Sequence, residues 1–378
     1  MPRRRTKRGS DRTSLAGDVD VLICGASFAG LAVARELAGS GADVLVLDRY
    51  EVGERQTSAC GIPTEWLSAL GLEAATRQTF GELVAHTAHG VARYPLPYPF
   101  STFDYPHLCA LLDEHNDARF ETATVHGRTG DTVHTDRGDL RAPLIVDALG
   151  WRRILAPPES AHQPPEAPLS RGLEVHPPGA SEDLEIWVDR RYAPAGYSWC
   201  FPAGDELRIG VGSYDPRFHV KGTTVQLAGD LGSEPERFQG NWIPHRLRDA
   251  TEDGIFFCGD SAGHCIPLTA EGIRTALYFG IACGRELRRV IEGAGSRRAA
   301  LHRYHAFSAG HERKFKWMLR LQQLVPAVPP RLLTPAVSAM STRAFVRWAF
   351  VHYLDIAHPA FARATPARRA GAPVRIAA

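Results

Sequence analysis

The sequence predicts an α/β chain in which a parallel, Rossmann-like unit is interleaved with an antiparallel sheet and followed by a helical C-terminal region. Three observations lead there. Val21–Asp48 reads as strand, glycine turn, small-residue helix and second strand. Residues 79–103 and 172–214 alternate apolar with polar side chains, the period of half-buried strands. A second strand–turn–helix pattern appears only at Gly254–Glu292, so distant parts of the chain complete the first unit.

The opening stretch is VLICGASFAGLAVARELAGSGADVLVLD. Gly25 and Gly30 let backbone N–H groups approach a pyrophosphate at the start of a helix. Ser27, Phe28 and Ala29 lie between them on the same turn. Asp48 closes the second strand, where an acid accepts hydrogen bonds from a ribose, and Arg49 follows it. The pattern is GxSxxG, with Ser27 in place of the middle glycine. Either its hydroxyl binds the phosphate or the loop stands further back. The unit predicts a dinucleotide site.

The chain has 378 residues, enough for one large or two joined domains. A net charge of +2 gives no case for nucleic acid. The first residues, MPRRRTKRGSDR, form a basic tail without the apolar stretch of a secretory signal, suited to weak contact with anionic lipid. No apolar run is long enough to span a bilayer. Seven cysteines without a CxxC pair argue against zinc and a disulfide framework and for a reducing cytoplasm. Oligomeric state is not readable.

After Asp48, Cys60-Gly61-Ile62-Pro63 is a turn into a helix over Thr64–Leu70, with Thr64 as N-cap. Prolines 95, 97 and 99 exclude a helix and a central strand around them. Pro106–His115 is an amphipathic helix. A β-meander follows, with Val125 on one of its strands, and ends in a buried strand, Leu144–Val146, that returns to the first sheet. Residues 152–169 are a proline-rich linker and 223–248 a mixed helix and loop. A helix runs from about Glu271 to Glu292, and the last ninety residues are helical with proline breaks. Helix 341–357 is aromatic on one side, for core packing or for contact with lipid or an apolar substrate.

At Gly254–Gly280 the sequence GIFFCGDSAGHCIPLTAEGIRTALYFG resembles the second flavin motif of the flavoprotein superfamily that includes the aromatic hydroxylases. The resemblance implies FAD. Gly259 and Asp260 would meet the ribityl chain, Pro267 would lie against the ring, and Gly272 and Ile273 would present a helix end to it. Tyr197-Ser-Trp199-Cys-Phe201-Pro202, followed by Gly210-Val-Gly212, resembles the YxWxFP…GxG signature of the geranylgeranyl reductase family. That family also carries a Cys-Gly over the flavin, here Cys60-Gly61. Where the family's helix commonly begins with an Arg that contacts the cofactor, this chain reads Asp104-Tyr105-Pro106-His107.

These resemblances imply a Rossmann-like FAD-binding domain (19–78, 104–151 and 249–293) interleaved with an antiparallel-sheet substrate domain (79–103 and 165–248). A basic disordered tail (1–18) would precede them and a helical region (294–378) would follow. The implied activity is reduction of carbon–carbon double bonds in an isoprenoid chain, with hydride from reduced flavin. Cys60 is the candidate proton donor or positioning group. Gly61, Tyr197, Trp199, Phe201 and Pro202 are candidate substrate contacts. Electrons would come from NAD(P)H or a ferredoxin. The alternatives are a flavin monooxygenase acting on an aromatic or apolar small molecule, and a non-catalytic flavin- or lipid-binding protein. His264, inside the flavin loop, is the histidine to watch.

Overall fold

The structure is a computed structural model that describes residues 13–56, 58–160 and 167–363. In chain order it runs β1 (Gly17–Asp18), β2 (Val21–Cys24), α1 (Phe28–Leu37), β3 (Val44–Asp48), β4 (Gly61–Pro63) and α2 (Thr64–Leu70). The hairpin β5 (Thr76–Thr87) and β6 (Gly90–Phe103) leads to α3 (Tyr105–Glu114). Then come β7 (Arg119–Thr122), β8 (Val125–Thr129), β9 (Thr132–Thr135), β10 (Gly138–Arg141) and β11 (Leu144–Asp147). The second half holds β12 (Leu169–Val175), β13 (Leu184–Val188), β14 (Gly196–Pro202), β15 (Leu207–Ser213), α4 (Val220–Asp230), β16 (Gln239–Pro244), β17 (Thr251–Glu252) and β18 (Ile255–Phe257). Helices α5 (Ile273–Ile291), α6 (Arg297–Ala309), α7 (Glu312–Leu324), α8 (Pro330–Met340), α9 (Arg343–Leu354) and α10 (Ala360–Arg363) complete it.

Three sheets form. The first has the order β17-β18-β11-β2-β3-β7 and is parallel except for β17. Its inner strands are unbroken apolar runs (VLIC, VLVL, LIV, IFF) because both faces are covered. The chain leaves β2 toward β3 on one side and comes back as β11 on the other. That reversal opens a crevice at the strands' C-terminal ends. The second sheet, β1-β10-β9-β8, is the meander. The third, β16-β12-β15-β14-β13-β5-β6-β4, is the large antiparallel-rich sheet expected to carry the substrate.

Helix α5 lies on α1 at backbone distance. A Cβ at Gly280 would sit 2.7 Å from the Ala29 carbonyl oxygen, and one at Gly284 would sit 2.6 Å from Cβ of Glu36. Both numbers rise together along the contact, so the helices are parallel and their N-termini open on the same end of the sheet. Arg285 and Arg288 lock the far end, on Glu36 and on the Glu36 and Ala38 carbonyls.

Several expectations shift. Gly17–Asp18 pairs with β10, so the expected tail to residue 18 is shorter, and residues 1–12 lie outside the described chain. Gly61–Pro63 and the strand from Thr76 join the large sheet rather than the nucleotide unit, because β4 pairs with β6. Within 223–248 a strand, β16, forms the edge of that sheet. Thr64 does not cap its helix. Pro63 holds that position, and the Thr64 hydroxyl meets Ser101 Oγ at 2.7 Å. The prolines of β6 fall where the β5 pairing jumps register, between Phe80–Phe100 and Glu82–Pro95, on the part of the strand that β4 leaves unpaired. Among the described residues no helix is long and apolar enough to cross a membrane.

Gly280→Val tests the helix contact. The added side chain meets backbone and Ala32 at 2.8 Å or less. Overpacking of this kind is expected to lower unfolding free energy by about 1–3 kcal/mol and to weaken flavin retention. Thermal melts and flavin absorbance after gel filtration read both, and an unchanged melt would refute the contact.

Candidate functional site

The turn from β2 into α1 admits glycine alone at its ends. A Cβ at Gly25, where φ is +116°, would lie 2.2 Å from the Ala148 oxygen, and one at Gly30 would lie 1.8 Å from the Gly25 oxygen. Ser27 is the N-cap residue of α1, but its side chain caps nothing. Its hydroxyl lies 3.3 Å from that of Tyr105. The two departures from the expected pattern, Ser27 and the Asp104-Tyr105 start of α3, therefore touch one another. The first-turn N–H groups of Phe28, Ala29 and Gly30 have no side-chain acceptor, the condition in which a helix end holds an anion.

Asp48 straps the strand end to the glycine turn. Its carboxylate accepts from Ala26 N at 2.9 Å and from Tyr50 N at 3.0 Å. Burial pushes its pKa up, and these backbone bonds work against the rise. Each oxygen keeps a lone pair for a ribose hydroxyl. The Asp48 carbonyl accepts from Ala123 N at 2.7 Å, which brings buried Val125 to the same corner. Arg49 is exposed, over the Tyr50 ring.

The second end of the crevice is built by residues 259–273. Gly259 has φ +63°, and a Cβ there would lie 3.0 Å from that of Ala29, so this turn packs on the first turn of α1. Burial raises the Asp260 pKa from 3.8 to about 6, opposed only by the charge of Arg248. The group is thus still mostly ionised at neutral pH, and no described residue hydrogen-bonds it. Arg248 donates to the Trp151 carbonyl at 2.8 Å, and its Nη2 is buried without a partner. Gly272 is the uncapped N-cap of α5, and a Cβ there would adjoin Asp260 Oδ1 at 3.7 Å. Pro267 and Ile273 are buried beside it. The loop between them is closed by Ile266 N to the Glu271 carbonyl at 3.0 Å. Tyr214 donates to the Leu268 carbonyl at 2.7 Å, and Tyr197 to that of Thr269. The Tyr353 hydroxyl meets both Thr269 Oγ1 and Glu271. His264 turns the other way. It stacks on Phe279 at 3.7 Å and meets Ser308 Oγ at 2.9 Å, a core histidine kept neutral by burial.

Strand β14 forms a wall beside that loop. Tyr197, Trp199 and Phe201 are half-buried on one face, while Ser198, Cys200 and Pro202 are buried on the other. Cys200 packs with Trp187 and Val211 under α4. The Trp199 indole lies across β15. A Cβ at Gly210 would be 2.2 Å from the ring, and one at Gly212 would be 3.3 Å away. The GxG half of the signature is therefore a slot for the tryptophan half. The indole N–H donates to Glu174 at 3.2 Å. Phe201 meets Phe100 edge-on at 6.5 Å, and Phe100 in turn occupies the space that a side chain at Gly61 would fill. The Pro202 carbonyl accepts from Thr102 at 2.7 Å.

Cys60 has φ +56° and is fully buried. Its thiol donates to the Ser58 carbonyl at 3.1 Å. Burial pushes the thiol far up, with Arg208 opposing. Cys60 therefore stays protonated at neutral pH, the form a proton donor needs. Arg208 donates to the Ala59 carbonyl at 2.8 Å and to Glu206 at 3.0 Å. His176 bridges Glu174 at 2.8 Å and Glu206 at 3.2 Å. A buried charged cluster thus holds both the Cys60 loop and Trp199.

A family profile described as "FAD binding domain" matches residues 18–111. A digeranylgeranylglycerophospholipid reductase 2 of Methanosphaera stadtmanae is 23% identical over 333 residues, covering 78% of this chain and 84% of that protein. The chain is an FAD-dependent oxidoreductase homologous to the geranylgeranyl reductases. A geranylgeranyl bacteriochlorophyll reductase-like protein of Thermoplasma acidophilum has the same fold, with TM-score 0.77 and 17% identity over 91% of this chain and 97% of that one. So does PqsL, a probable FAD-dependent monooxygenase from Pseudomonas aeruginosa, with TM-score 0.65 and 19% identity over 86% and 99%. The fold alone is common to both.

The residues of this reductase homologue fit FAD at both ends. The pyrophosphate end has two positions without room for a Cβ and an uncapped helix. The ring end has an uncapped helix, an unpartnered Asp260 and an orphaned Arg248 Nη2. Each helix dipole adds about 0.3–1 kcal/mol toward negative charge. Sequence reasoning marked Tyr105 only as part of a departure from the family's helix start, and missed Glu174, His176, Arg208, Tyr214 and Arg248. For Glu174 and Arg208 the signal was a charge on an inward position of an alternating strand; for the rest there was none.

His176 yields a pH test. Burial opposes its charge, but Glu174 and Glu206 outweigh burial and raise its pKa above 6.5. Its contribution is complete below the unfolded value and is lost as pH rises through the folded one. The melting-temperature gap between wild type and His176→Gln is expected to be widest below the unfolded value of about 6.5 and to close as pH rises above it. A gap that stays constant with pH would remove the charged histidine.

Proposed function

We propose that this flavoprotein reduces carbon–carbon double bonds in the isoprenoid chain of a lipid or quinone. The observation that carries the reading is the aromatic wall hydrogen-bonded to the flavin loop. Tyr197 holds the loop at Thr269 and Tyr214 holds it at Leu268, and Trp199 and Phe201 continue the apolar face. Reduced FAD, when bound, supplies the hydride.

The chain's own residues supply the rest. Tyr197, Trp199 and Phe201 align an apolar chain and exclude water, which an unactivated alkene requires. Asp260 and the N-terminus of α5 orient the cofactor and favour negative charge at its ring. Cys60 holds a proton at Sγ, with Arg208 setting the backbone that carries it. It is the candidate donor to the second alkene carbon, and the positive charge of Arg208 eases the loss of that proton. Electrons reach the protein from NAD(P)H or a ferredoxin. All seven cysteines are unpaired, in keeping with a reducing cytoplasm. The substrate is membrane-soluble, so the protein works at or beside a membrane surface.

Dithionite-reduced holoprotein is expected to regain oxidised-flavin absorbance under argon when given a geranylgeranyl-chain lipid, with a saturated product by mass spectrometry. Oxygen-dependent formation of a hydroxylated product instead would establish the monooxygenase. Binding of the lipid with no flavin in the purified protein would leave a carrier. Cys60→Ala should lower turnover by about 100-fold or more while flavin content and reduction stay unchanged. Undiminished turnover would strip Cys60 of its role.

A further inference from the structure

Ten large apolar side chains are exposed among the described residues, and seven of them lie between Trp317 and Val351, on α7, α8 and α9. Trp317, Leu332 and Trp348 are 55%, 61% and 59% exposed, values that core packing does not leave. The same stretch, 312–354, carries seven Lys or Arg and one acid, a net +6 on a chain whose total is +2. Lys314 and Lys316 pair with Asp355 and Glu312. Arg313, Arg320, Arg331, Arg343 and Arg347 are exposed and have no acidic partner among the described residues.

The other side of these helices borders the site. Strand register places Trp199 opposite Ile186, and Ile186 beside Ala85, on one face of the large sheet. Val337 of α8 and Val346 and Phe350 of α9 cover Ile186 and Ala85. Tyr353, at the end of α9, bonds the flavin loop at Thr269. Helix α9 is thus a partition. Val346, Phe350 and Tyr353 face inward, while Phe345, Trp348 and Val351 face outward.

Charge selects what covers the outer side. Residues 1–12 carry six Lys or Arg and one acid, and residues 364–378 carry three and none, so neither terminus complements a basic face. A second copy of the same face repels it as well. Aromatic and aliphatic side chains interleaved with unpaired arginines fit the headgroup zone of an anionic bilayer.

We propose that the outer side of α7–α9 is the surface on which the protein lies on an anionic lipid bilayer, with Trp317, Phe345 and Trp348 at headgroup depth and the arginines on lipid phosphates. This deepens the reductase reading. A prenyl chain leaves the bilayer past α9 and reaches the Trp199 face without crossing bulk water.

The test is flotation of full-length holoprotein with vesicles of phosphatidylcholine alone or with about a third phosphatidylglycerol. Binding is expected to the anionic vesicles and to fall in high salt. Trp317→Glu/Trp348→Glu and Arg343→Glu/Arg347→Glu should each lower the bound fraction at least about tenfold at unchanged melting temperature. All four positions are exposed, so the variants fold. No flotation, or variants that float like wild type through the basic N-terminus, would overturn the proposal. So would a homodimer that the tryptophan variant dissolves. Flotation needs no turnover. A protein that floats but reduces no prenyl chain retains the face and loses the reductase reading, whereas an active protein that does not float does the reverse.

Discussion

Everything at the crevice depends on two helices lying at backbone distance. Gly280 and Gly284 let α5 press onto Ala29, Ala32 and Glu36 of α1, and the absent side chains leave no room for another arrangement. The consequence is electrostatic. Two parallel helices end side by side with uncapped N-termini, and the Gly259 turn is wedged against Ala29. One helix end suits a pyrophosphate and the other a ring that gains negative charge. Side chains at those two glycines would separate the ends and divide one dinucleotide site into two unrelated ones.

A second constraint is steric and serves the substrate side. Trp199 needs Gly210 on the neighbouring strand, since a Cβ there would occupy its ring, and one at Gly212 would crowd it at 3.3 Å. Seated in that slot, the indole presents a flat face and passes its N–H to Glu174 rather than leaving it unpaired. Glu174 then has a second task, as one of two carboxylates that hold His176. Its neighbours Glu206 and Arg208 fasten the carbonyl before Cys60. The apolar wall and the buried thiol are therefore supported by one charged cluster, which an apolar pocket tolerates only because each charge is paired.

Much of this was legible because it is local. Continuous apolar strands, a glycine turn and an acid at the strand end declare a parallel sheet with a dinucleotide loop, and simple alternation along β14 is enough to put Tyr197, Trp199 and Phe201 on one face. Less local matters were misread. Thr64 looked like a cap because its type and position suit one, yet Ser101 from another strand takes its hydroxyl. Ser27 looked like a phosphate ligand or a misfit. That Tyr105, remote in sequence, lies 3.3 Å from its hydroxyl left no local trace. The burial that raises the pKa of the Cys60 thiol is set by distant elements as well.

The sequence by itself determined the kind of cofactor, the order of the elements and the residues that repeat at strand or turn spacing. The dinucleotide turn, the element order and the repeats follow from backbone sterics and side-chain period, which act over a few residues, whereas FAD itself came from the resemblance of Gly254–Gly280 to a flavin motif. Only the tertiary structure decided which groups share a space. The Asp260 carboxylate adjoins the end of α5. His264 faces the core and not the flavin. Trp199 sits in a glycine slot, and α9 stands between the aromatic wall and an exposed basic, apolar surface. Pairing between distant strands and packing between distant helices set these relations, and neither leaves a periodic trace along the chain.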